Sequence, residues 1–426
     1  MIATLYAGAA TLAAPALRAL LRRRVKQNRE IAARLPERWG EDATPRPPGR
    51  LLWLHGASVG EVLSIFPLLH ALAAEAPDVS VLVTTGTVTS AALFDRRLPE
   101  FSLSAGALHR FVPLDVPAWV ARFLDHWRPD AAGFVEQEVW PNLLAACAAR
   151  NVPTLLLNAR LSARSFARWQ RVGGFARETF GRFDGVLAQS DRDASRIAAL
   201  GGRAVSAPGN LTFAADKLPA EPKQLQALAR VIAGRPVWLA ASTHPGEDAP
   251  VLQAHAALAE RHDPLLTIIV PRHPSRGAEV ARIMAGWPVA RRSDGQAPPD
   301  GSGIWIGDTL GELGLFYRLA PIAFIGGSMV PHGGQNPLEA ARLGCAVAVG
   351  PRTENFAEAV AVLCAAGALT VVADPAALAG WVDSLLKSPD GRRRMGEAGI
   401  AAAGRYADLP RQIAAVLLAS LPAARI

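Results

Sequence analysis

The feature that most constrains the fold is a repeated alternation of short apolar runs with longer stretches of helical character. From Arg50 onward, Leu51–Leu54, Val79–Thr84, Ala131–Val135, Thr154–Asn158 and Gly185–Ala188 read as short buried strands. Helical stretches such as Val62–Ala74 and Leu143–Arg150 separate them. A strand that is apolar on both faces must be covered on both, so this rhythm predicts a parallel sheet with helices on each side. The polar segment Asp216–Gln224 breaks the pattern and reads as a linker. The alternation then restarts with Val237–Ala241, Leu265–Val270, Gly303–Ile306, Ile322–Ile325, Ala346–Val349 and Thr370–Val372, and Asp408–Leu421 reads as a closing helix. A chain of 426 residues exceeds what one core usually serves. The expectation is α/β: two doubly wound domains facing a central cleft. Their spans are 41–212 and 213–407, flanked by an N-terminal segment, 1–40, and a C-terminal helix, 408–426.

Half of the residues are apolar and 19% are charged, which excludes a disordered chain. The cysteines Cys147, Cys345 and Cys364 have no CxxC spacing, which argues against a disulfide framework or a zinc site and suits a reducing compartment. The net charge is +8, and residues 18–38 carry most of it: eight basic side chains, from Arg18 to Arg38, against Glu30 and Glu37. The preceding Met1–Leu21 is apolar apart from small polar residues and Arg18. An apolar segment followed by a basic cluster is the signature of a membrane surface, with the basic side cytoplasmic. Pro15 and Arg18 make a full span marginal, and no basic region precedes the apolar part, so a cleaved signal peptide is not expected. Aromatic residues do not interleave with the basic ones, and no nucleic-acid partner is expected.

Polar motifs follow the strands, where ligands of doubly wound sheets lie. The first strand runs into His55-Gly56-Ala57-Ser58-Val59-Gly60-Glu61, placing Glu61 at a helix start. A carboxylate there can serve as general base toward a hydroxyl, or can merely complement the helix dipole, which would lower its pKa. Glu136-Gln137-Glu138 follows another apolar run, and its two carboxylates share a face if the strand continues. Charges at that edge are costly without a cation, a hydroxyl or water. The densest motif is Phe324–Glu339, a strand, a loop with four glycines and a helix start. Asn336 suits an N-cap and Pro337 the first helical position, a seat for phosphate, while Glu339 can accept from ribose hydroxyls. Loops at Ala241–Asp248, Pro271–Pro274 and Gly307–Glu312 are also small and polar, and Arg272 offers a phosphate a fixed charge. Together these indicate a nucleotide site. No HExxH, EF-hand or P-loop pattern is present, and no metal ligand set or cofactor is expected. Asp191-Arg192-Asp193 has a carboxylate spacing but reads as a helix start capped by Ser190.

HGASVGEV (55–62), TTGTVTSA (84–91), EQEVWPNL (136–143), NARLSARS (158–165), AQSDRD (188–193), PRHP (271–274), GGSMVPHGGQNPLEAA (326–341) and GPRTENF (350–356) occur in that order. In these stretches the chain resembles the transferases that attach Kdo, a deoxy-octulosonic acid, to the lipid A precursor of Gram-negative bacteria. The resemblance covers nearly the whole chain. It implies a metal-independent, inverting glycosyltransferase of GT-B type, with two Rossmann-like domains, acting at the cytoplasmic face of the inner membrane. The donor would be CMP-Kdo and the acceptor the lipid A precursor, lipid IVA. By the same resemblance Glu61 is the general base and Glu136 a transition-state stabiliser. Arg272, His273, Leu310, Gly311, Glu312, Asn336, Pro337, Leu338 and Glu339 match the CMP-binding segments.

Two positions depart from the family pattern. Thr212 stands where a Lys is usual after the Gly-Asn-Leu turn, and Lys217 is a nearby cation that could replace that charge. Gln335 stands where a His is usual and keeps hydrogen bonding without protonation. The alternatives are another GT-B nucleotide-sugar enzyme, a UDP-sugar transferase or epimerase, or a non-catalytic membrane-bound binder.

Overall fold

The computed structural model describes residues 2–101, 106–214 and 217–422. The chain divides into two units, Met1–Ala215 with Tyr406–Ile426, and Asp216–Arg405. The first contains seven parallel strands: β1 (Leu51–His55), β2 (Ser80–Thr85), β3 (Ala107–Phe111), β4 (Ala131–Val135), β5 (Thr154–Ala159), β6 (Gly185–Ala188) and β7 (Val205–Ser206). They lie in the order β3-β2-β1-β4-β5-β6-β7. The second contains β8 (Val237–Thr243), β9 (Leu266–Pro271), β10 (Val289–Arg291), β11 (Gly303–Ile306), β12 (Ile322–Ile325), β13 (Ala346–Val349) and β14 (Leu369–Val371). Their order is β10-β11-β9-β8-β12-β13-β14. Both sheets are doubly wound, as expected from the alternation. Three strands escaped the sequence reading: β3, β7 and β10. β7 and β10 are two and three residues long, and β3 is an edge strand with His109 and Arg110 in its middle.

Strand periodicity explains the two-sided core. Leu52 and Leu54 of β1 point into one cluster with Val81, Val83 and Leu157. Leu51 and Trp53 point into the opposite cluster with Leu82, Phe134 and Leu156. Adjacent residues face opposite sides of a strand, so a continuous apolar run feeds both layers. In each sheet the strand order reverses at its first strand. In the first, β2 and β4 flank β1; in the second, β9 and β12 flank β8. Backbones diverge there beyond the carboxyl ends, which leaves a crevice for polar groups.

The helix expected within 408–426 runs from Leu409 to Ala419 and belongs to the first unit. The helix Leu409–Ala419 buries Leu409, Ile413, Ala414 and Leu417 in the first unit's core, beside Leu54 and Leu157.

At the other terminus, one helix runs from Ile2 to Lys26 through Pro15. It is long and apolar enough to cross a membrane by length and composition. Leu5 and Leu12 are among its exposed apolar residues, and Tyr6 donates a hydrogen bond to Asp115 at 3.0 Å. The Arg18 guanidinium sits 5.2 Å from the Trp39 ring centroid and 5.5 Å from that of Trp119.

The basic cluster after this helix is divided in its roles. Arg38 is buried, pairs with Glu30 at 3.2 Å and donates to the Gly86 carbonyl, and Arg34 pairs with Glu37 at 2.7 Å. Arg22, Arg23, Lys26 and Arg29 face solvent.

Leu417→Ala is expected to destabilise the protein by about 2–5 kcal/mol, the cost of lost burial plus an unfilled cavity. Urea unfolding checks this, and an unchanged midpoint would show that the terminal helix is not part of the core.

Candidate active site

In the first unit, the candidate side chains gather at the carboxyl ends of β1 and β4, the two strands at the reversal. β1 ends at His55, a short turn follows, and the helix Val59–Glu75 begins. Ser58 caps that helix and Glu61 reaches back, forming a capping box. The Glu61 carboxylate accepts from Ala57 N–H at 2.5 Å and from Ser58 N–H at 3.3 Å, and the Ser58 hydroxyl donates to it at 2.9 Å. The helix dipole was expected to depress this pKa. The balance is the reverse: burial and then the charge of Glu138 raise it, against the three hydrogen bonds. Glu61 is therefore a stronger base than its place in the helix suggested.

The strand before Glu136 does not continue as the alternation required. β4 stops at Val135 and the chain turns at Glu136, whose φ is +62°. That left-handed conformation is uncommon for a side chain with a Cβ and is held here by the surrounding bonds. Glu136 N–H donates to the Leu157 carbonyl at 2.9 Å, and Arg160 N–H donates to the Glu136 carbonyl at 3.4 Å. Glu136 and Glu138 thus come together with Glu61 through a turn, not through strand alternation. Burial pushes the Glu136 carboxyl up to about 7, helped by Glu61 and Glu138 and opposed by Arg160. Glu138 goes the other way. Burial resists its ionisation, but His55, at 2.9 Å, and the Trp140 N–H, at 2.6 Å, outweigh it and hold its pKa below the usual range.

A cavity of about 130 Å³ opens beside Glu136, lined among others by Arg160, Ser165, Arg168 and Trp169. Arg160 is the cation acting on Glu136, and the sequence reading did not single it out. Thr212 lies in the 3-10 turn Leu211–Ala214, its N–H bonded to the Asn210 side chain at 2.9 Å. Lys217 falls beyond the break, in the second unit. Asp193 is occupied as a cap residue, accepting from Leu161 N–H at 2.9 Å and from the Ser190 hydroxyl at 2.6 Å.

In the second unit the glycine-rich loop leaves β12 and its partner loop leaves β8. Their link is Glu247, which is fully buried. One carboxylate oxygen accepts from His244 N–H at 2.9 Å and Gly327 N–H at 2.6 Å; the other accepts from Ser328 N–H at 3.0 Å and Met329 N–H at 2.9 Å. The amides at the start of the glycine-rich loop are therefore committed to an internal anion. The helix after the loop is also shorter than expected. It spans Leu338–Arg342, with Pro337 at the capping position and the Asn336 side chain accepting from Leu338 N–H at 3.1 Å. Five residues carry little macrodipole. The phosphate reading consequently rests on side chains.

Those side chains are drawn together around the loop. His244 packs against His332 with centroids 3.8 Å apart and the rings tilted by 35°, and lies 6.4 Å from the His273 ring. The Gln335 amide donates to His244 Nε2 at 3.0 Å, so that nitrogen carries no proton. Burial, then His332, His273, Arg272 and Arg276, push the His244 pKa down to about 4, which keeps it neutral. Gln335 is thus a fixed donor where a His would titrate. Arg272 acts electrostatically on Glu339, whose pKa burial raises against Arg342, Asn336 and Arg272. Leu310 is 83% exposed and Gly311 has φ +82°. Glu312 is engaged with Arg292 at 2.8 Å, so this segment offers a ligand backbone and an apolar side chain.

Glu136 resists ionisation when folded, so its contribution to stability is intact below about pH 4.5 and is lost as pH rises through about 7. Glu136→Gln is expected to melt with the parent at about pH 5 and above it at about pH 8. An equal Tm difference at both would refute the shift. In Glu247→Gln an NH₂ group would face two backbone N–H donors, and a loss of about 1–3 kcal/mol is expected in urea unfolding. An unchanged midpoint would show that the buried carboxylate does not hold the two loops.

A family model described as 3-Deoxy-D-manno-octulosonic-acid transferase (kdotransferase) matches residues 33–215. The chain is 36% identical over 375 residues to the 3-deoxy-D-manno-octulosonic acid transferase of Haemophilus influenzae, covering 86% of each chain. It is 38% identical over 389 residues to the protein of the same name from Bordetella pertussis, covering 88% of this chain and 89% of that one. Among solved structures, UDP-GlcNAc 2-epimerase from Neisseria meningitidis matches with a TM-score of 0.59 at 14% identity, over 87% of this chain and 100% of that one. At such identity the likeness is one of fold, and the fold is of GT-B type with two Rossmann-like units. By its similarity to these relatives over most of its length, the chain belongs to the family of 3-deoxy-D-manno-octulosonic acid (Kdo) transferases.

Proposed function

We propose that the protein is an inverting glycosyltransferase that moves Kdo from CMP-Kdo to a hydroxyl of the lipid A precursor, lipid IVA, without a metal or other cofactor. The observation that carries this reading is Glu61, a half-buried carboxylate at the reversal of the first sheet whose pKa is raised by burial and by Glu138. Such a group takes a proton from a hydroxyl more readily than an ordinary carboxylate.

In the reaction, Glu61 takes the acceptor hydroxyl's proton as that oxygen bonds to the anomeric carbon of Kdo. The bond from that carbon to the phosphate oxygen breaks on the opposite face, and its electron pair leaves with CMP. The anomeric carbon gains positive character on the way, and Glu136, once ionised, stabilises it. Arg272 and His273 suit the departing phosphate, and Asn336–Glu339 with Leu310–Glu312 suit the nucleoside. Arg160 supplies a positive charge beside Glu136.

Membrane association fits the N-terminus. The helix Ile2–Lys26 exposes Leu5 and Leu12, and Arg22, Arg23, Lys26 and Arg29 follow or close it as exposed cations. Such a helix suits an anionic cytoplasmic leaflet of the inner membrane.

Incubation with fresh CMP-Kdo and a tetraacylated lipid A precursor, read by mass spectrometry, is expected to add one or more Kdo masses, and the increment counts the units. Glu61→Gln is expected to lower transfer by about 10²-fold or more with CMP affinity nearly unchanged. A fully active Glu61→Gln enzyme would sink the assignment of the base. Inhibition by UDP but not CMP would redirect the reading to another sugar nucleotide.

A further inference from the structure

One buried chain of hydrogen bonds lies beside the carboxylates, and the mechanism above draws on it only through the charge of Glu138. The Trp53 indole N–H donates to the Thr84 hydroxyl at 2.8 Å. Thr84 faces His55 Nδ1 with that hydroxyl at 2.9 Å and with its carbonyl at 3.0 Å. On the other side of the ring, Nε2 lies 2.9 Å from Glu138 Oε2, and Trp140 donates to the same oxygen at 2.6 Å. The hydroxyl of Thr84 can donate to Nδ1 or its carbonyl accept from it, so the ring is satisfied there in either form. With Nδ1 accepting from the Thr84 hydroxyl, Nε2 carries the hydrogen that Glu138 receives. His55 has no exposed side-chain surface and Glu138 has 12%.

A buried ion-pair-like contact is a poor source of stability in itself, because desolvation offsets its attraction. Its position is more informative. His55 is the last residue of β1, Glu138 follows the turn after β4, and Glu61 begins the helix between them in sequence. At this point Glu138 acts on Glu61, His55 acts on Glu138, and Glu61, Glu138 and Arg160 act on Glu136. Ser58, Thr84 and Trp140 complete the surroundings as neutral donors or acceptors.

We propose that His55 and Glu138 are a positioning pair for the transfer reaction: His55 holds Glu138 as an ionised carboxylate beside Glu61, and that fixed negative charge sets the pH range in which Glu61 exchanges its proton. The inference rests on the reading of Glu61 as the base. Glu138 touches no reacting atom in it and acts through its neighbour. A carboxylate beside a second, fixed carboxylate gives up its proton at higher pH than alone, which makes it the better base. Thr84 and Trp140 set the ring and the carboxylate, so the charge stays at one place during turnover.

The test is the pH profile of kcat/KM for Kdo transfer in the full chain. Glu138→Gln is expected to move the acid limb down by about one pH unit, with the plateau reduced by about tenfold or less. His55→Asn removes the donor that favours ionised Glu138 and is expected to move the limb in the same direction. Glu138→Asp, which keeps the charge, is expected to leave the limb closer to the parent's position than Glu138→Gln does. A purely structural pair would lower activity by one factor at every pH and leave the limb in place, and that result overturns the proposal.

A second readout needs no turnover. In protein labelled with ¹³C at the glutamate carboxyl, the Glu61 signal, assigned by its loss in Glu61→Gln, is expected to titrate at lower pH in Glu138→Gln and in His55→Asn. An unmoved Glu61 midpoint in folded variants also overturns the proposal. If the parent enzyme transfers no Kdo, the proposed function fails, while the carboxyl titration still decides whether Glu138 acts on Glu61. If Glu138→Gln does not fold, His55→Asn carries the same two measurements.

Discussion

Strands covered on both faces leave a sheet only one outlet for polar chemistry, the ends of the strands, and both units are built around that constraint. Leu51 to Leu54 fill two core layers at once, and the first polar residue after them is His55. The reversal of strand order at the first strand of each sheet then opens the outlet. Glu61, Glu136 and Glu138 meet beyond β1 and β4; His244, Glu247 and the glycine-rich loop meet beyond β8 and β12. The fold therefore places the chemistry before any side chain is chosen.

The two outlets handle buried negative charge in opposite ways. Glu247 receives four backbone N–H donors, so its charge is spent on holding two loops together. The first unit instead leaves three carboxylates partly in conflict. Glu138, supplied by His55 and Trp140, has its pKa lowered, while burial raises those of Glu61, despite its three hydrogen bonds, and Glu136. Neighbouring groups whose pKa values are driven apart divide the labour of a site: one holds a charge and another moves a proton. In the proposed reaction the saturated anion is scaffold and the conflicted ones carry the chemistry, although all are glutamates near strand ends.

The same distinction applies to the basic cluster near the N-terminus. As a count it was a uniform patch of positive charge. In the structure Arg38 is an internal residue bound to Glu30 and to backbone carbonyls, and Arg34 is tied to Glu37. Arg22, Arg23, Lys26 and Arg29 remain for a surface. A charge's role depends on whether a partner of opposite sign is folded against it, which residue counting does not register.

The features that the sequence determined by itself were set by local rules. Runs such as Ile322–Ile325 must be two-sided strands, Ser190 must cap the helix that begins after it, and the long motifs identify the family. Short edge strands such as β10 escaped because too few residues carry a pattern. Only the tertiary structure decided the properties that depend on neighbours distant in the chain. The helix dipole alone argued for a depressed pKa at Glu61; Glu138, 77 positions away, reverses it together with burial. The four glycines alone argued for a backbone open to a ligand; Glu247, 80 positions before Gly327, already holds the amides of Gly327, Ser328 and Met329. Helix and strand periods are properties of consecutive residues, whereas the energy of a buried charge is set by whichever groups the fold brings against it.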